Sequence, residues 1–297
     1  MNNLIVEYQR VYQKVVKDFE ENEEVLAAFV FGSIVTGDLW DNSDIDFFVI
    51  LKEYNDGIVN VYSSENDIAV HLKVMSKEEF LNLKEFEIKG SFLHRLFSSS
   101  RLVFSIDDDI SEKYNSERIY PEMERRKWTL SYLGKLIKSI DSTEKFLNND
   151  NTYGAFKSLL ESMDLYSSVY VNSRGYMISK DTINVCANLN SEFKEKYKEL
   201  VSGDVLETKV YEINKYLKNI IDKEITDASE ILIAYLREKD KPLSSTEIAE
   251  DDIFKDFDIK MEGILSLLYS KNIIKMELRD VYTPLGKVLI KENVYKL

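Results

Sequence analysis

Cysteine is almost missing from this 297-residue chain, with Cys186 the only one. A single thiol excludes an intramolecular disulfide and a thiolate zinc centre, and a chain of this length without bridges suits a reducing compartment. Histidine is nearly as scarce: His71 and His94 are all there is, too little for a zinc site without cysteine to help. Positive charge is in deficit as well. The 39 Lys and Arg face 53 Asp and Glu, giving a net charge of −14 and a pI near 4.8, so long-range electrostatics oppose phosphate backbones and anionic membrane surfaces. No run approaches the ~18 apolar residues of a membrane-spanning helix. The opening MNNLIVEYQRVYQKVVKDFEENEE carries charges every few residues and lacks the apolar core and cleavage site of a secretion signal. The chain is therefore expected to be cytoplasmic, without membrane contact.

What is present is the composition of an ordinary globular protein, long enough for about two domains at ~150 residues each. Its charge is unevenly spread. Residues 1–112 hold 10 Lys and Arg against 22 Asp and Glu, a net of −12, which leaves −2 for the remainder. The acidic field belongs to the first part, where it attracts metal ions and cationic substrates.

Hydrophobic periodicity divides the chain. Val6 to Phe19 has helical spacing, and Leu26 to Phe31 and Ile45 to Leu51 read as short apolar strands. Gly57 to Tyr62 and Ile68 to Met75 read as two more, joined by a turn in SSEND. SKEEF then opens a helix, with Ser76 as N-cap and Glu79 three residues on. From about Pro121 apolar residues recur at three- and four-residue intervals, through Leu133, Leu136 and Ile140 and then Leu160, Met163 and Tyr166, as in a helical bundle. Tyr153, Tyr166, Tyr170 and Tyr176 read first as core aromatics and second as the lining of a pocket, and Glu161 and Asp164 first as a wet helix face and second as an acceptor-binding pair or base.

The last segment reads as apolar helix, short capped helix, third helix and two strands around Arg279-Asp280, the order of a winged helix. The expected domains are 1–115, 116–224 and 225–297. From Pro242 to Leu297 eight basic residues face ten acidic ones, so this segment lacks the basic surface that DNA contact requires. Docking of a protein partner, or a homodimer, is the role left to it.

The stretch that carries chemistry is AAFVFGSIVTGDLWDNSDIDFFVIL. An apolar strand runs into Gly32-Ser33, Gly37 follows, and Asp44 and Asp46 stand at the opening of a second apolar strand. Side chains at i and i+2 of a strand share a face, so the two carboxylates lie side by side while Ile45 points into the core. Two hard oxygen ligands so placed suit Mg²⁺, which shares its shell with waters and substrate phosphates. Gly32-Ser33 adds a close backbone approach and a hydroxyl for terminal phosphates. Alone, Asp-x-Asp is a weak pattern, more often a solvated strand edge than a site. Joined to a strand, Gly-Ser, Gly37 and FFVIL, it is far more specific.

Here the sequence resembles the nucleotidyltransferase superfamily, polymerase beta-like, whose signature is Gly-Ser followed about a dozen residues later by Asp-x-Asp. The likeness is close over FGSIVTGDLWDNSDIDFFVI, with Ser43 before the first aspartate, and continues through VHLKVMSKEEF and RLVFSIDDDIS. The helical half resembles, by pattern only, nucleotidyltransferases of the aminoglycoside and lincosamide type. The implied architecture is an α/β domain with a mixed sheet, then an all-α bundle and a small winged-helix-like domain. The implied reaction moves a nucleoside monophosphate from a nucleoside triphosphate to a hydroxyl of an acceptor that the sequence does not name. By that resemblance Gly32, Ser33 and Ser43 hold the nucleotide, and Asp44 and Asp46 ligate Mg²⁺.

One position departs from the family pattern. A third carboxylate belongs on the next strand, and alignment on the strand-to-helix junction at Ser76 puts His71 there. Asp67 has the same parity but lies four residues back, ~13 Å along a strand. His71 reads two ways: as a general base, since an unperturbed imidazole suits proton transfer near neutrality, or as a half-buried strand residue in a site that no longer turns over. The sequence thus leads to an Mg²⁺-dependent nucleotidyltransferase with Asp44, Asp46 and His71 as catalytic residues. Its alternative is a catalytically impaired nucleotide sensor that reports through the C-terminal domain.

Overall fold

The computed structural model describes residues 2–37, 39–54, 57–83, 92–179 and 181–297. The chain forms two compact units, Met1–Tyr120 and Pro121–Leu297.

The first unit is built on a five-stranded mixed sheet. Its strands are β1 (Val25–Phe31), β2 (Ile45–Leu51), β3 (Val59–Glu65), β4 (Ile68–Ser76) and β5 (Arg101–Ser105), in the order β3-β4-β2-β1-β5. β2 and β4 are parallel, and every other neighbouring pair is antiparallel. The central strands VLAAFVF and IDFFVIL are apolar on both faces because both faces are covered. Val30, Ile45, Phe47, Val49 and Val70 pack on one side with Tyr8 and Val11 of α1 (Asn2–Glu20). Phe29, Phe48, Ile50 and Met75 pack on the other. That second side is covered by Phe80 of α3 (Lys77–Asn82), Phe97 of α4 (Phe92–Ser99), and Ile110 and Tyr114 of α5 (Asp108–Glu117). A short α2 (Ser33–Thr36) follows β1 directly. The Ser76 cap forms as expected, its hydroxyl accepting the Glu79 N–H at 3.2 Å. The side chain of His94 lies outside the described residues.

The β3–β4 turn is narrower than SSEND. Asn66 and Asp67, at φ 50° and 62°, make the whole loop, while Ser63 to Glu65 continue the ladder opposite Val70 to Ile68. Two central residues at positive φ match the twist of the flanking strands, and Asn and Asp tolerate that region. Polar Ser63 and Ser64 remain in the strand because both are exposed there.

The second unit is mostly helical: α6 (Glu122–Leu147), α7 (Thr152–Ser173), α8 (Thr182–Leu189), α9 (Ser191–Val201), α10 (Glu207–Ala228), α11 (Glu230–Lys239), α12 (Ser245–Ala249) and α13 (Met261–Ser270). A two-stranded sheet of β6 (Lys275–Tyr282) and β7 (Val288–Lys296) ends it. The sequence reading separates 116–224 from 225–297, whereas here one continuous core runs from Leu130 through Met163 and Ile221 to Leu265 and Tyr295. Gly134 shows how close the C-terminal segment lies on α6, since a Cβ there would sit 3.0 Å from the Lys260 backbone nitrogen. The Ser131 hydroxyl donates to Asp258 O at 2.9 Å beside it. Tyr166 and Tyr170 are core residues, but Tyr153 and Tyr176 are exposed.

The hairpin turn is not at Arg279-Asp280. β6 runs straight through that pair, and Thr283 to Lys287 make the turn, with Gly286 at φ 74° and Thr283 N–H donating to Lys287 O at 2.8 Å. Pro284 and Gly286 supply the turn chemistry, while Arg279 is held in the strand by Glu292 across the ladder at 2.8 Å. No described helix is long and apolar enough to cross a membrane.

Candidate active site

The site forms where β1 ends and β2 begins. After Phe31 the chain turns at Gly32, with φ 75° and ψ −154°, a conformation essentially confined to glycine. Gly37 closes α2 in the left-handed region at φ 85°, its N–H donating to Ser33 O at 2.9 Å. A polar loop then leads to the aspartates and is braced from two sides. Trp40 N–H donates to Ser43 Oγ at 3.0 Å, and the Tyr8 hydroxyl on α1 donates to Ser43 O at 2.5 Å. Burial raises the Tyr8 pKa, and the negative charges of Asp44 and Asp41 raise it further. Ser43, expected at the nucleotide, is itself buried, and what its hydroxyl does in this structure is hold the loop that leads into Asp44.

Strand register then does the gathering. Phe31 of β1 stands opposite Asp46 of β2, Asp46 opposite His71 of β4, and His71 opposite Tyr62 of β3. Directly opposed residues project from the same face, so one row crosses four strands. His71 Nδ1 lies 3.2 Å from Asp46 Oδ1, with both side chains 17% exposed. The Tyr62 ring stacks on the imidazole, centroids 4.4 Å apart and planes 13° from parallel. His71 Nε2 is buried without a hydrogen-bond partner among the described residues. Asp44 is exposed and completes the group: one ligand atom from each of Asp44, Asp46 and His71 lies within 4.8 Å of the others.

Gly32 closes the other side. A Cβ built on it would stand 2.5 Å from Asp46 Oδ2, so the backbone rests against the carboxylate in a way no side chain permits. Ser33 Oγ lies 3.5 Å from Asp44 O. The structure therefore brings together Gly32, Ser33, Asp44, Asp46 and His71. Two carboxylates and an imidazole nitrogen within this span are a donor set that fits one divalent cation.

Residues 13–109 match the family model described as polymerase beta, nucleotidyltransferase, a span that contains the entire row and its glycine turn. The first unit is a nucleotidyltransferase domain. Across its length the chain is similar to the crystal structure of a nucleotidyltransferase-like protein from Exiguobacterium sibiricum 255-15. The TM-score is 0.67 at 14% identity, covering 97% of this chain and 99% of that one; at such identity the likeness is one of fold. No curated protein matches the chain.

Two residues that position this cluster were not singled out from sequence. Tyr8 lies 35 positions from the carbonyl it holds, and nothing local marks it. Tyr62 had a signal: a two-residue turn at Asn66-Asp67 fixes the hairpin register and places it against His71. The acidic run after β5 has a local task, since Asp107 caps α5 by accepting the Ile110 N–H at 3.2 Å and pairs with Lys77. Burial opposes ionisation of Asp107, yet the Lys77 ammonium and that N–H outweigh it and lower its pKa. Glu161 and Asp164 are exposed on α7.

Proposed function

We propose that the chain transfers a nucleoside monophosphate from a nucleoside triphosphate to a hydroxyl of a small acceptor. The acidic field of residues 1–112 favours a cationic one. The observation that carries this reading is the gathering of Asp44, Asp46 and His71 within 4.8 Å against the backbone of Gly32 in a nucleotidyltransferase domain. Asp44 and Asp46 would hold a divalent cation, Mg²⁺ by the hardness of their oxygens. Such a cation, when bound, supplies charge neutralisation at the phosphates and at the attacking and leaving oxygens. Gly32 lets the triphosphate approach the backbone, and the Ser33 hydroxyl binds it. The acceptor oxygen bonds to the α-phosphorus, the bond to the β-phosphate oxygen breaks, and pyrophosphate leaves.

His71 serves this site from Nδ1, because Nε2 is buried. Whether as a third ligand or as the acceptor of the hydroxyl proton, it acts through the nitrogen that faces Asp46. The same observation favours a second reading. With Nδ1 on Asp46 and Nε2 enclosed, the imidazole has no nitrogen open to an acceptor, as expected of a nucleotide-binding regulator in which transfer is impaired. In either reading residues 225–297 act as a winged-helix-like module for protein docking or dimerisation.

Calorimetric titration with nucleoside triphosphates tests the shared core of both readings. Binding is expected with Mg²⁺, lost on chelation, and at least tenfold weaker in Asp46→Asn. Equal affinity in parent and variant would show that the carboxylates do not hold the triphosphate through a cation.

A further inference from the structure

The second unit contains a cavity of about 420 Å³ lined by side chains of both charges. Arg125 and Arg126 of α6 and Arg174, just past α7, line it together with Glu224 and Asp227 of α10 and Glu230 of α11. Only part of this charge is already matched. Arg126 is paired with Glu230 and, at 2.6 Å, with Glu122. Among the described residues Arg174, Glu224 and Asp227 have no ion-pair partner within 4 Å.

The open arginines are fixed in place by the fold. Arg125 Nη1 donates to Asn172 O at 3.0 Å and Ser173 O at 2.9 Å, while buried Asn172 donates back to Arg125 O at 2.7 Å. The nearest carboxylate to Arg125 is Glu122 at 3.8 Å. Arg174 lies over the Tyr170 ring, 3.2 Å from its centroid, and donates to Tyr170 O at 3.2 Å. A guanidinium stacked and tethered in this way has lost much of its rotamer freedom before any ligand arrives. In the same cavity Glu224 is half-buried, and burial raises its pKa; the Arg174 charge opposes that rise and Asp227 adds to it. Such a carboxylate gains from a cationic partner that replaces lost water.

The geometry points to a binding site for a small zwitterion, a free amino acid or dipeptide. Its carboxylate would meet Arg125 and Arg174, and its ammonium Glu224 and Asp227. With Arg126 and Glu230 paired to each other, a simple anion such as phosphate would satisfy Arg125 and Arg174 but face Glu224 and Asp227, and a simple cation would face the two guanidiniums. A ligand carrying both charges matches both sets, and the cavity has room for a side chain beyond the charged ends. This site lies wholly within the second unit and does not depend on the transfer reaction.

The test is calorimetric titration of the full chain with the free amino acids and a dipeptide set, each beside its N-acetyl and methyl-ester forms. At least one zwitterion should bind, with both singly charged forms at least tenfold weaker. Arg174→Gln and Glu224→Gln, checked for native circular dichroism, should each weaken binding at least tenfold, while Asp46→Asn leaves it unchanged. The inference is overturned if no zwitterion binds, if an N-acetyl or ester form binds as well as the parent compound, or if both cavity variants bind normally. Loss of binding in Asp46→Asn would move the site to the first unit and overturn it equally.

Discussion

Replacing Gly32 by alanine strains the backbone and intrudes on the Asp46 carboxylate, and a second glycine separates the two effects. At φ 75° and ψ −154° a side chain costs about 1–3 kcal/mol in backbone strain. The added Cβ would also lie 2.5 Å from Asp46 Oδ2, far inside the ~3.5–4.0 Å of an ordinary carbon contact. Relief requires a shift of about 1 Å by Asp46, the nearest side chain, and that carboxylate is 3.2 Å from His71 Nδ1. Gly37 is the control. Its φ of 85° and ψ of 6° make alanine cost about 1–2 kcal/mol, but a Cβ there meets nothing within 4 Å. Urea unfolding should show both variants destabilised by amounts of that order. Electron paramagnetic resonance with Mn²⁺, a spectroscopic stand-in for Mg²⁺, should then show cation affinity reduced at least tenfold in Gly32→Ala and little changed in Gly37→Ala. Equal cation affinity in the two variants would refute the role given to Gly32, as would a Gly32→Ala protein as stable as the parent.

Three further outcomes follow from the same geometry. His71→Asp restores a third carboxylate and should raise cation affinity and transfer, whereas His71→Ala should lower both; if Asp and Ala reduce transfer alike, the imidazole is the working group. Tyr8→Phe removes the donor to Ser43 O and should cost about 1–2 kcal/mol in urea unfolding, with weaker cation binding because the loop before Asp44 loses its brace; an unchanged protein would contradict this. Asp107 has a depressed pKa in the folded state, so the stability it gives is present above its unfolded pKa, near 4, and is lost as pH falls through the lower folded value. Asp107→Asn keeps a capping side chain but should be less stable than the parent at pH 7, by a gap that closes below about pH 4; a gap that persists in acid would assign the loss to packing.

How much of this was legible in the sequence depends on how local each determinant is. Gly32, Ser33, Asp44 and Asp46 lie within fifteen residues, and two strands with a tight connection allow few arrangements. The shared face of Asp44 and Asp46 and the inward turn of Ile45 were readable from alternation, and the family resemblance joined Gly32 and Ser33 to them. His71 was reachable through the family resemblance, by alignment on the strand-to-helix junction at Ser76, and the parallel pairing of β4 with β2 that sets it beside Asp46 is a feature of the fold. The hairpin turn between β6 and β7 was misread because Arg279-Asp280 is polar, and strand polarity on an exposed ladder resembles a turn. The cross-strand pair with Glu292 that keeps Arg279 extended is visible only once the register is known. Ser43 was read from its place in the motif, and its burial depends on Tyr8 from a distant helix. The charged cavity left no trace in sequence, because Arg125 meets carbonyls 47 and 48 residues away and the acidic residues come from two further helices.

The most direct test of the central claim follows the label of an α-phosphate-labelled nucleoside triphosphate, in the presence of Mg²⁺ and a panel of hydroxyl-bearing acceptors weighted towards cationic ones. The parent should move label to an acceptor with matching release of pyrophosphate. The Asp44→Asn, Asp46→Asn double variant should be slower by about 100-fold or more, as loss of several kcal/mol of metal-borne charge stabilisation implies. Transfer that survives the double substitution would contradict the site, and a parent that binds the triphosphate but labels no acceptor would contradict the enzyme.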